Sequence, residues 1–199
     1  ELANALQPVV LYNSRPPRPG EEEGVDYHFR RREAIEGLRG NEQYGVLDVR
    51  GDLQALDLYE LERLLQNGDA FFEGNPFVGS ILQKHIQLDR IDRLSMFMAP
   101  LAREEILFLR DQEGLSLPEL IADVMRRKLL RRLRRQQGEI SGPDLNEVER
   151  RATSAYTELC KAPDFGCVIP NHDGEDSENW DAFYYPLGDA RRSLLAVAA

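Results

Sequence analysis

The chain has 199 residues, which is enough for one domain with a hydrophobic core. Its formal net charge of -10 disfavours general binding to nucleic acids and anionic membranes, and no apolar run is long enough to span a bilayer. The two cysteines, Cys160 and Cys167, lack a metal-binding spacing and indicate reduced thiols in a cytoplasmic protein.

The chain opens with a predicted helix end and a predicted strand. Leu2, Ala3 and Leu6 precede Pro8 and fit the last turns of an amphipathic helix. Residues 9–12, VVLY, form an apolar run that is typical of a buried strand. This strand leads into a loop at its carboxyl end, where open α/β sheets bind ligands.

That loop, residues 13–29, reads NSRPPRPGEEEGVDYHF and contains two arginines in a proline-stiffened segment. The prolines exclude helix interior and central strand. The guanidinium groups of Arg15 and Arg18 suit phosphate oxygens, and the hydroxyl of Tyr27 can donate a further hydrogen bond. A stiff backbone also lowers the entropy lost on binding. The alternative is a solvated loop whose arginines only pair with glutamates 21–23.

The remaining pattern alternates strands and helices, with Gly68 as a helix C-cap and Asp144 as an N-cap signal. The predicted strands are 44–50, a strand that opens at 70–72 and continues into 73–79, 94–98 and 165–169. The predicted helices are 33–38, 53–67, a start at 103–109, 117–137, 145–159 and 189–197. Residues 172–186 predict a solvated acidic loop with no EF-hand spacing, in which His172 is a surface residue.

The basic segment 126–135, RRKLLRRLRR, allows three interpretations. The first is a solvated helix that packs on the protein through its leucines. The second is a nucleic-acid-binding helix, which the acidic remainder of the chain disfavours. The third is a lid that brings arginines over phosphates.

Residues 14–29 closely resemble the acceptor-nucleotide loop of guanylate kinases, whose pattern is (S/T)-R-x-P-R-x-G-E-x-x-G-x-D-Y-x-F. The matching residues are Ser14, Arg15, Pro17, Arg18, Gly20, Glu21, Gly24, Asp26, Tyr27 and Phe29. The resemblance implies that Arg15, Arg18 and Tyr27 grip the phosphate of a monophosphate acceptor. It also implies that Glu21 helps to hold the arginines.

The resemblance implies an α/β fold, in which a parallel sheet is flanked by helices as in P-loop nucleoside monophosphate kinases. We expect a single domain over residues 1–199. Residues 9–70 would include the acceptor-binding subdomain, 101–144 would form a helical lid insertion, and 70–100 with 145–199 would form the core.

The resemblance also implies site residues for phosphoryl transfer from ATP with Mg²⁺. Arg132 and Arg135 correspond to the lid arginines, and Arg151 to the phosphate-facing arginine of the following helix. Asn171 would contact the nucleotide, and Glu73 keeps one member of an acidic pair that binds the acceptor. The acceptor would be a nucleoside monophosphate, GMP by family default, or a similar phosphorylated small molecule.

The base-reading residues of the family are largely replaced. The family's guanine-reading glutamate falls on or near Gly45, a serine on Leu56, a tyrosine on Gln54, another serine on Leu11, and the second acidic residue on Asn75. Their loss leaves guanine specificity open. The alternative function is a catalytically inactive guanylate-kinase-like module that binds a phosphorylated ligand or peptide.

The G-x-x-x-x-G-K-(S/T) phosphate loop of the family does not occur in the 199 residues, which begin at Glu1. We expect the chain to be a fragment that lacks the N-terminal strand and phosphate loop, rather than a natural variant that has lost them. The sequence predicts no metal-binding set of side chains and gives no oligomeric state.

Overall fold

The computed structural model describes residues 6–18, 20–84, 92–137, 139–174 and 177–199. The chain divides into two compact units, Glu1–Arg90 and Ile91–Ala199. The helix end predicted at Leu2 and Ala3 and residues 175–176 of the predicted acidic loop lie outside the described residues.

The described residues of the first unit form two sheets. Strand β1 pairs in parallel with β6, while four further strands form a sheet in the order β3-β2-β5-β4. In that sheet β2 and β3 are parallel, and β5 is antiparallel to both β2 and β4. The elements in chain order are β1 (Leu6–Pro8), β2 (Leu11–Asn13), β3 (Tyr27–Phe29), α1 (Arg32–Glu36), β4 (Tyr44–Val49), β5 (Asp52–Asp57), α2 (Leu58–Asn67), β6 (Asp69–Phe71) and α3 (Pro76–Lys84).

Strand β5 has hydrophobic clusters on both faces because its side chains alternate. Leu53 and Ala55 face Ile35 of α1 and form one cluster. Leu56 belongs to a second, larger cluster with Leu11 of β2, and the helices α2 and α3 add their own side chains to it. The central strand is therefore buried from both sides.

The predicted helix over 53–67 is wrong in its first five residues, which belong to β5. Arg50 and Gly51, with φ of 56° and 88°, form the two-residue turn of a hairpin whose flanking residues Val49 and Asp52 pair directly. Such a turn matches the twist of the strands and fixes their register. The helix begins only where the Asp57 side chain accepts hydrogen bonds from the amides of Tyr59 and Glu60, at 3.0 and 3.1 Å.

Several further boundaries differ from the prediction. Leu6 belongs to strand β1 instead of a helix end. The predicted continuation of a strand through 73–79 is wrong, because Asn75 accepts a hydrogen bond from the Phe77 amide and begins α3. The N-cap of α6 is Ser141, and Asp144 serves three residues later as its capping-box partner.

In the described residues of the second unit, four α-helices accompany a parallel strand pair, in which β7 runs beside β8. Phe97, Ala99, Ile121, Ala155 and Leu159 form its buried cluster. Its elements are β7 (Met96–Ala99), α4 (Arg103–Arg110), α5 (Leu117–Gln137), α6 (Gly142–Leu159), β8 (Cys167–Pro170) and α7 (Gly188–Ala198). The predicted helix 117–137 is confirmed, as is the α/β class with parallel strands flanked by helices.

The loop after β8 is more ordered than the predicted solvated loop, because Asp173 organises it. The Asp173 carboxylate accepts hydrogen bonds from the Ser177 hydroxyl (3.0 Å), the Asn179 amide group (3.1 Å) and the backbone N–H of Ala190 (2.7 Å). Burial acts to raise the pKa of Asp173, but these hydrogen bonds outweigh it and the pKa lies below its ordinary value. Asp173 thereby ties the loop to the first turn of α7.

Among the described residues, the structure has no helix with the length and apolarity needed to cross a membrane.

Candidate functional site

The loop with Arg15 and Arg18 connects the parallel strands β2 and β3 and is anchored where it leaves β2. The buried Asn13 side chain accepts a hydrogen bond from the Arg15 amide at 3.2 Å. The Ser14 hydroxyl accepts one from the Leu53 amide at 2.8 Å, and the Ser14 amide donates to the Leu53 carbonyl at 2.9 Å. These bonds hold the loop against the central strand β5.

Glu21 binds the guanidinium of Arg15 through two hydrogen bonds. Nη1 and Nη2 of Arg15 donate to Oε2 and Oε1 of Glu21, both at 2.6 Å, and Nη1 also donates to the Pro16 carbonyl at 3.0 Å. The two side chains expose only 11% and 17% of their surfaces. This is the bidentate geometry in which arginine and carboxylate bind most strongly.

The remaining edge of Arg15 carries two more donors. A guanidinium has five N–H groups, and the bonds to Glu21 and Pro16 use three of them. In the described part of the chain, the Nε–H and the second Nη2–H make no hydrogen bond. They point away from Glu21 and form a second fork of the kind that binds phosphate oxygens.

The rings of Tyr27 and Phe29 flank Arg15. The guanidinium carbon lies 5.1 Å from the Tyr27 ring centroid and 5.7 Å from the Phe29 centroid, which is within cation–π range. Burial acts to lower the pKa of Arg15, but the hydrogen bond and charge of Glu21 outweigh it and raise the pKa above its ordinary value. Arg15 is therefore held cationic and oriented.

Glu21 also shapes the turn that contains Arg18. Its carboxylate accepts the Arg18 amide at 2.7 Å, and its own amide donates to the Arg18 carbonyl at 3.0 Å. The hydrogen bond from Arg15 lowers the pKa of Glu21 below its ordinary value despite partial burial. Arg18 itself is exposed. The structure thus brings Arg15, Glu21 and Tyr27 together and ties the Arg18 backbone to the same carboxylate.

Glu73, the remaining predicted acceptor residue, lies exposed between β6 and α3. Within the described residues it forms no ion pair with the Arg15–Glu21 pair. Its predicted role stays a prediction.

The second unit contains a cavity of about 170 Å³ beside the carboxyl ends of β7 and β8. Three predicted site residues line it, namely Arg132, Arg151 and Asn171. Arg135 does not, and its Nη2 lies 3.4 Å from a carboxylate oxygen of Asp181. The carboxyl edge of parallel strands is the usual ligand-binding edge of α/β sheets.

Lys128, which the sequence analysis missed, also lines this cavity. Its Nζ donates to the carbonyls of Asn171 (2.5 Å) and Pro100 (3.4 Å), while Arg131 donates to the Asp173 carbonyl. With Arg135 these residues form one face of α5 at helical spacing. Part of the basic run is therefore bound to the loop after β8.

His172 connects this loop to α4. Its Nε2 lies 2.6 Å from Oε2 of Glu105, which also accepts the Ala102 amide at 2.7 Å. The hydrogen bond to His172 lowers the pKa of Glu105 below its ordinary value. Across the described ranges, no group of three or more histidine, cysteine or acidic side chains is arranged to hold a metal ion.

No family model matches the chain. Over 178 residues it is 29% identical to a guanylate kinase of Synechococcus sp., a match that covers 89% of this chain and 69% of that protein. Over 118 residues it is 30% identical to a guanylate kinase of Alkalilimnicola ehrlichii, with 59% of this chain and 57% of that protein covered. The crystal structure of guanylate kinase from Anaplasma phagocytophilum superposes with a TM-score of 0.55 at 18% identity, covering 99% of this chain and 77% of that one. The chain therefore resembles guanylate kinases in sequence and in fold.

The guanylate-kinase-like chain matches only 57% of the length of the Alkalilimnicola protein. The resemblance to guanylate kinases inferred from residues 14–29 is confirmed by these relatives, and the superposition supports the fold. The roles of the individual site residues and the single-domain organisation stay predictions.

Three positions at which the family alignment places base readers converge in this guanylate-kinase-like chain. Gly45 of β4 pairs directly with Leu56 of β5, and Leu56 shares a buried cluster with Leu11 of β2. None of the three carries a polar side chain. Leu11, Gly45 and Leu56 therefore share one apolar region, whereas the other two aligned positions, Gln54 and Asn75, carry amide side chains.

Proposed function

We propose that this guanylate-kinase-like chain binds a phosphomonoester through Arg15, Arg18 and Tyr27 and takes part in phosphoryl transfer from ATP to it. The bidentate Arg15–Glu21 pair carries the proposal, because it leaves a second fork of N–H donors on the cation. Binding of a dianionic phosphate depends on such prearranged donors, and phosphoryl transfer depends on positioning and charge stabilisation more than on a covalent nucleophile.

Acceptor binding is tested by titration calorimetry of the purified protein with GMP. Arg18→Ala is expected to lower the affinity by at least about tenfold, since a hydrogen bond to a charged group contributes about 1.5–3 kcal/mol. Arg39→Ala is the matched control, because it removes an equal charge from an exposed arginine of the same unit that pairs with Glu36. Equal affinities in the two variants would refute the assignment.

The cavity residues Lys128, Arg132 and Arg151 fit part of an ATP molecule, since they supply cationic donors beside the amide of Asn171. At about 170 Å³ the cavity is smaller than the roughly 300–1,000 Å³ of most small-molecule pockets, so it suits only a portion of the nucleotide. ATP with Mg²⁺ would supply the transferred phosphoryl group. Arginines beside that group would offset its charge, and Mg²⁺ is commonly held largely by nucleotide phosphates.

Trp180 provides a signal for donor binding. Its indole N–H donates to the Gly174 carbonyl at 2.6 Å, and Gly174 lines the cavity. Titration with ATP and Mg²⁺ is expected to change the fluorescence of Trp180, the single tryptophan of the chain. Arg151→Gln is expected to lower the affinity for ATP measured by this fluorescence change by about tenfold. The neighbouring Arg150→Gln, which removes an arginine paired with Glu147, should leave that affinity unchanged.

A second function is favoured by the apolar side chains at the base-reader positions Leu11 and Leu56. In that case the chain is a catalytically inactive module that holds a phosphorylated ligand. Acceptor-dependent formation of ADP would refute this second function, because a module binds the acceptor without consuming ATP. The free thiols of Cys160 and Cys167 suit the reducing cytoplasm, where we place either function.

A further inference from the structure

The phosphate site lies directly beside a closed apolar cluster. The ring of Tyr27 lies beside the Arg15 guanidinium, and Tyr27 also packs against the cluster of Leu11, Leu56 and Val78. Leu56 and Val78 are fully buried and Leu11 exposes 3% of its surface. The part of a ligand next to its phosphate therefore meets filled hydrophobic packing on this side.

Helix α3 closes the remaining space over β4. The Cγ2 atom of Ile81 lies 3.0 Å from the position that a Cβ atom would occupy on Gly45. This distance is shorter than ordinary van der Waals contact, so even a methyl group there requires movement of Ile81. Asn75 fixes the start of α3 through its hydrogen bond to the Phe77 amide, which sets the positions of Val78 and Ile81 on the helix.

A purine base offers several hydrogen-bonding groups that lose water when they are buried. A site that pairs with such groups rejects ligands lacking them by about 10⁴–10⁵-fold. Leu11, Gly45 and Leu56 carry no side chain that can form hydrogen bonds with these groups, and Ile81 leaves too little space beside Gly45 even for a methyl group.

On the basis of the proposed function, we propose that the phosphate site recognises phosphomonoesters without reading a nucleobase. Its ligand class is the sugar phosphate or another small phosphomonoester, and any attached base stays in solvent. Arg15, Arg18 and Tyr27 then supply the recognition, while Ile81 and Val78 exclude the base.

The test compares ligands that differ only in the base, on the wild-type protein by titration calorimetry. Ribose 5-phosphate, GMP, AMP and UMP are expected to bind within about tenfold of one another, and guanosine without phosphate is expected not to bind. More than tenfold tighter binding of GMP than of ribose 5-phosphate would overturn the inference while leaving the phosphate site intact.

Arg18→Ala separates this inference from the proposed function. It is expected to weaken ribose 5-phosphate and GMP by the same factor, because both use only the phosphate site. Weakening of ribose 5-phosphate alone would mean that GMP is held through its base, which overturns the inference. If no phosphate ligand binds the wild-type protein, the proposed function fails first and the inference fails with it.

Discussion

Replacement of Glu21 by alanine tests the ion pair with Arg15 on which the proposed phosphate site depends. The carboxylate accepts two hydrogen bonds from Arg15 at 2.6 Å and one from the Arg18 amide at 2.7 Å. Glu21→Ala removes all three bonds. It also leaves a largely enclosed guanidinium without its carboxylate.

The expected loss of folding stability in Glu21→Ala lies between two limits. Exposed ion pairs contribute about 0–1 kcal/mol, whereas removal of one partner of a buried pair costs about 3–5 kcal/mol. Arg15 and Glu21 retain 11% and 17% of their side-chain exposure, so we expect a loss of about 2 kcal/mol in the free energy of unfolding. Since 1 kcal/mol corresponds to about 2–4 °C in a protein of this size, the melting temperature should fall by about 4–8 °C.

Urea unfolding followed by circular dichroism measures the effect. The control is Glu22→Ala, which removes an exposed carboxylate from the same turn and should change stability by no more than about 0.5 kcal/mol. The pKa of Glu21 is lowered in the folded protein, so its stabilisation is present above the ordinary value of 4.5 and is lost as the pH falls through the lowered value. Equal stability of the two variants at pH 7 would refute the reasoning.

Three further predictions concern the scaffold. Asp57→Ala removes the N-cap of α2 and should cost about 1 kcal/mol in urea unfolding, whereas Asp57→Asn should retain most of that stability. Asp173→Ala should lower the free energy of unfolding by about 2 kcal/mol, because the loop after β8 loses its hydrogen bonds, including the one to α7. The same change should shift the fluorescence emission of Trp180 to the red, and unchanged emission would contradict this role of Asp173. Arg126→Gln removes an exposed bidentate pair with Glu149 between α5 and α6, so any loss of stability it causes at low salt should largely vanish in 1 M salt.

The contacts between Arg15 and Glu21 could be expected from the sequence because they are local. Arg15 and Glu21 are six residues apart in a proline-stiffened loop, so the pattern alone suggests their pairing. The contact between Lys128 and the Asn171 carbonyl joins residues 43 apart in the chain. No local pattern encodes that distance, so the structural role of Lys128 is visible only in the fold.

The error at residues 53–57 has a similar origin. Their leucines fit a helical stripe that continues into 58–67, and propensity alone does not exclude a helix. Pairing with β4 across the turn at Arg50 and Gly51 satisfies the backbone instead, and this tertiary demand overrides local preference. By contrast, the helix 117–137 is long and amphipathic, and its bounds follow from the sequence.

The parallel pairing of β2 and β3 makes the length of the intervening loop a determinant of the chemistry at Arg15. Leu11 is opposite Tyr27 and Tyr12 is opposite His28, and successive residues of a strand point to opposite faces. If a one-residue deletion in the loop is absorbed by slippage of β3, an imidazole replaces the phenol next to the cation; a one-residue insertion brings the Asp26 carboxylate there instead. A change of loop length alone, with every arginine retained, can thus place an imidazole or a carboxylate beside the Arg15 guanidinium.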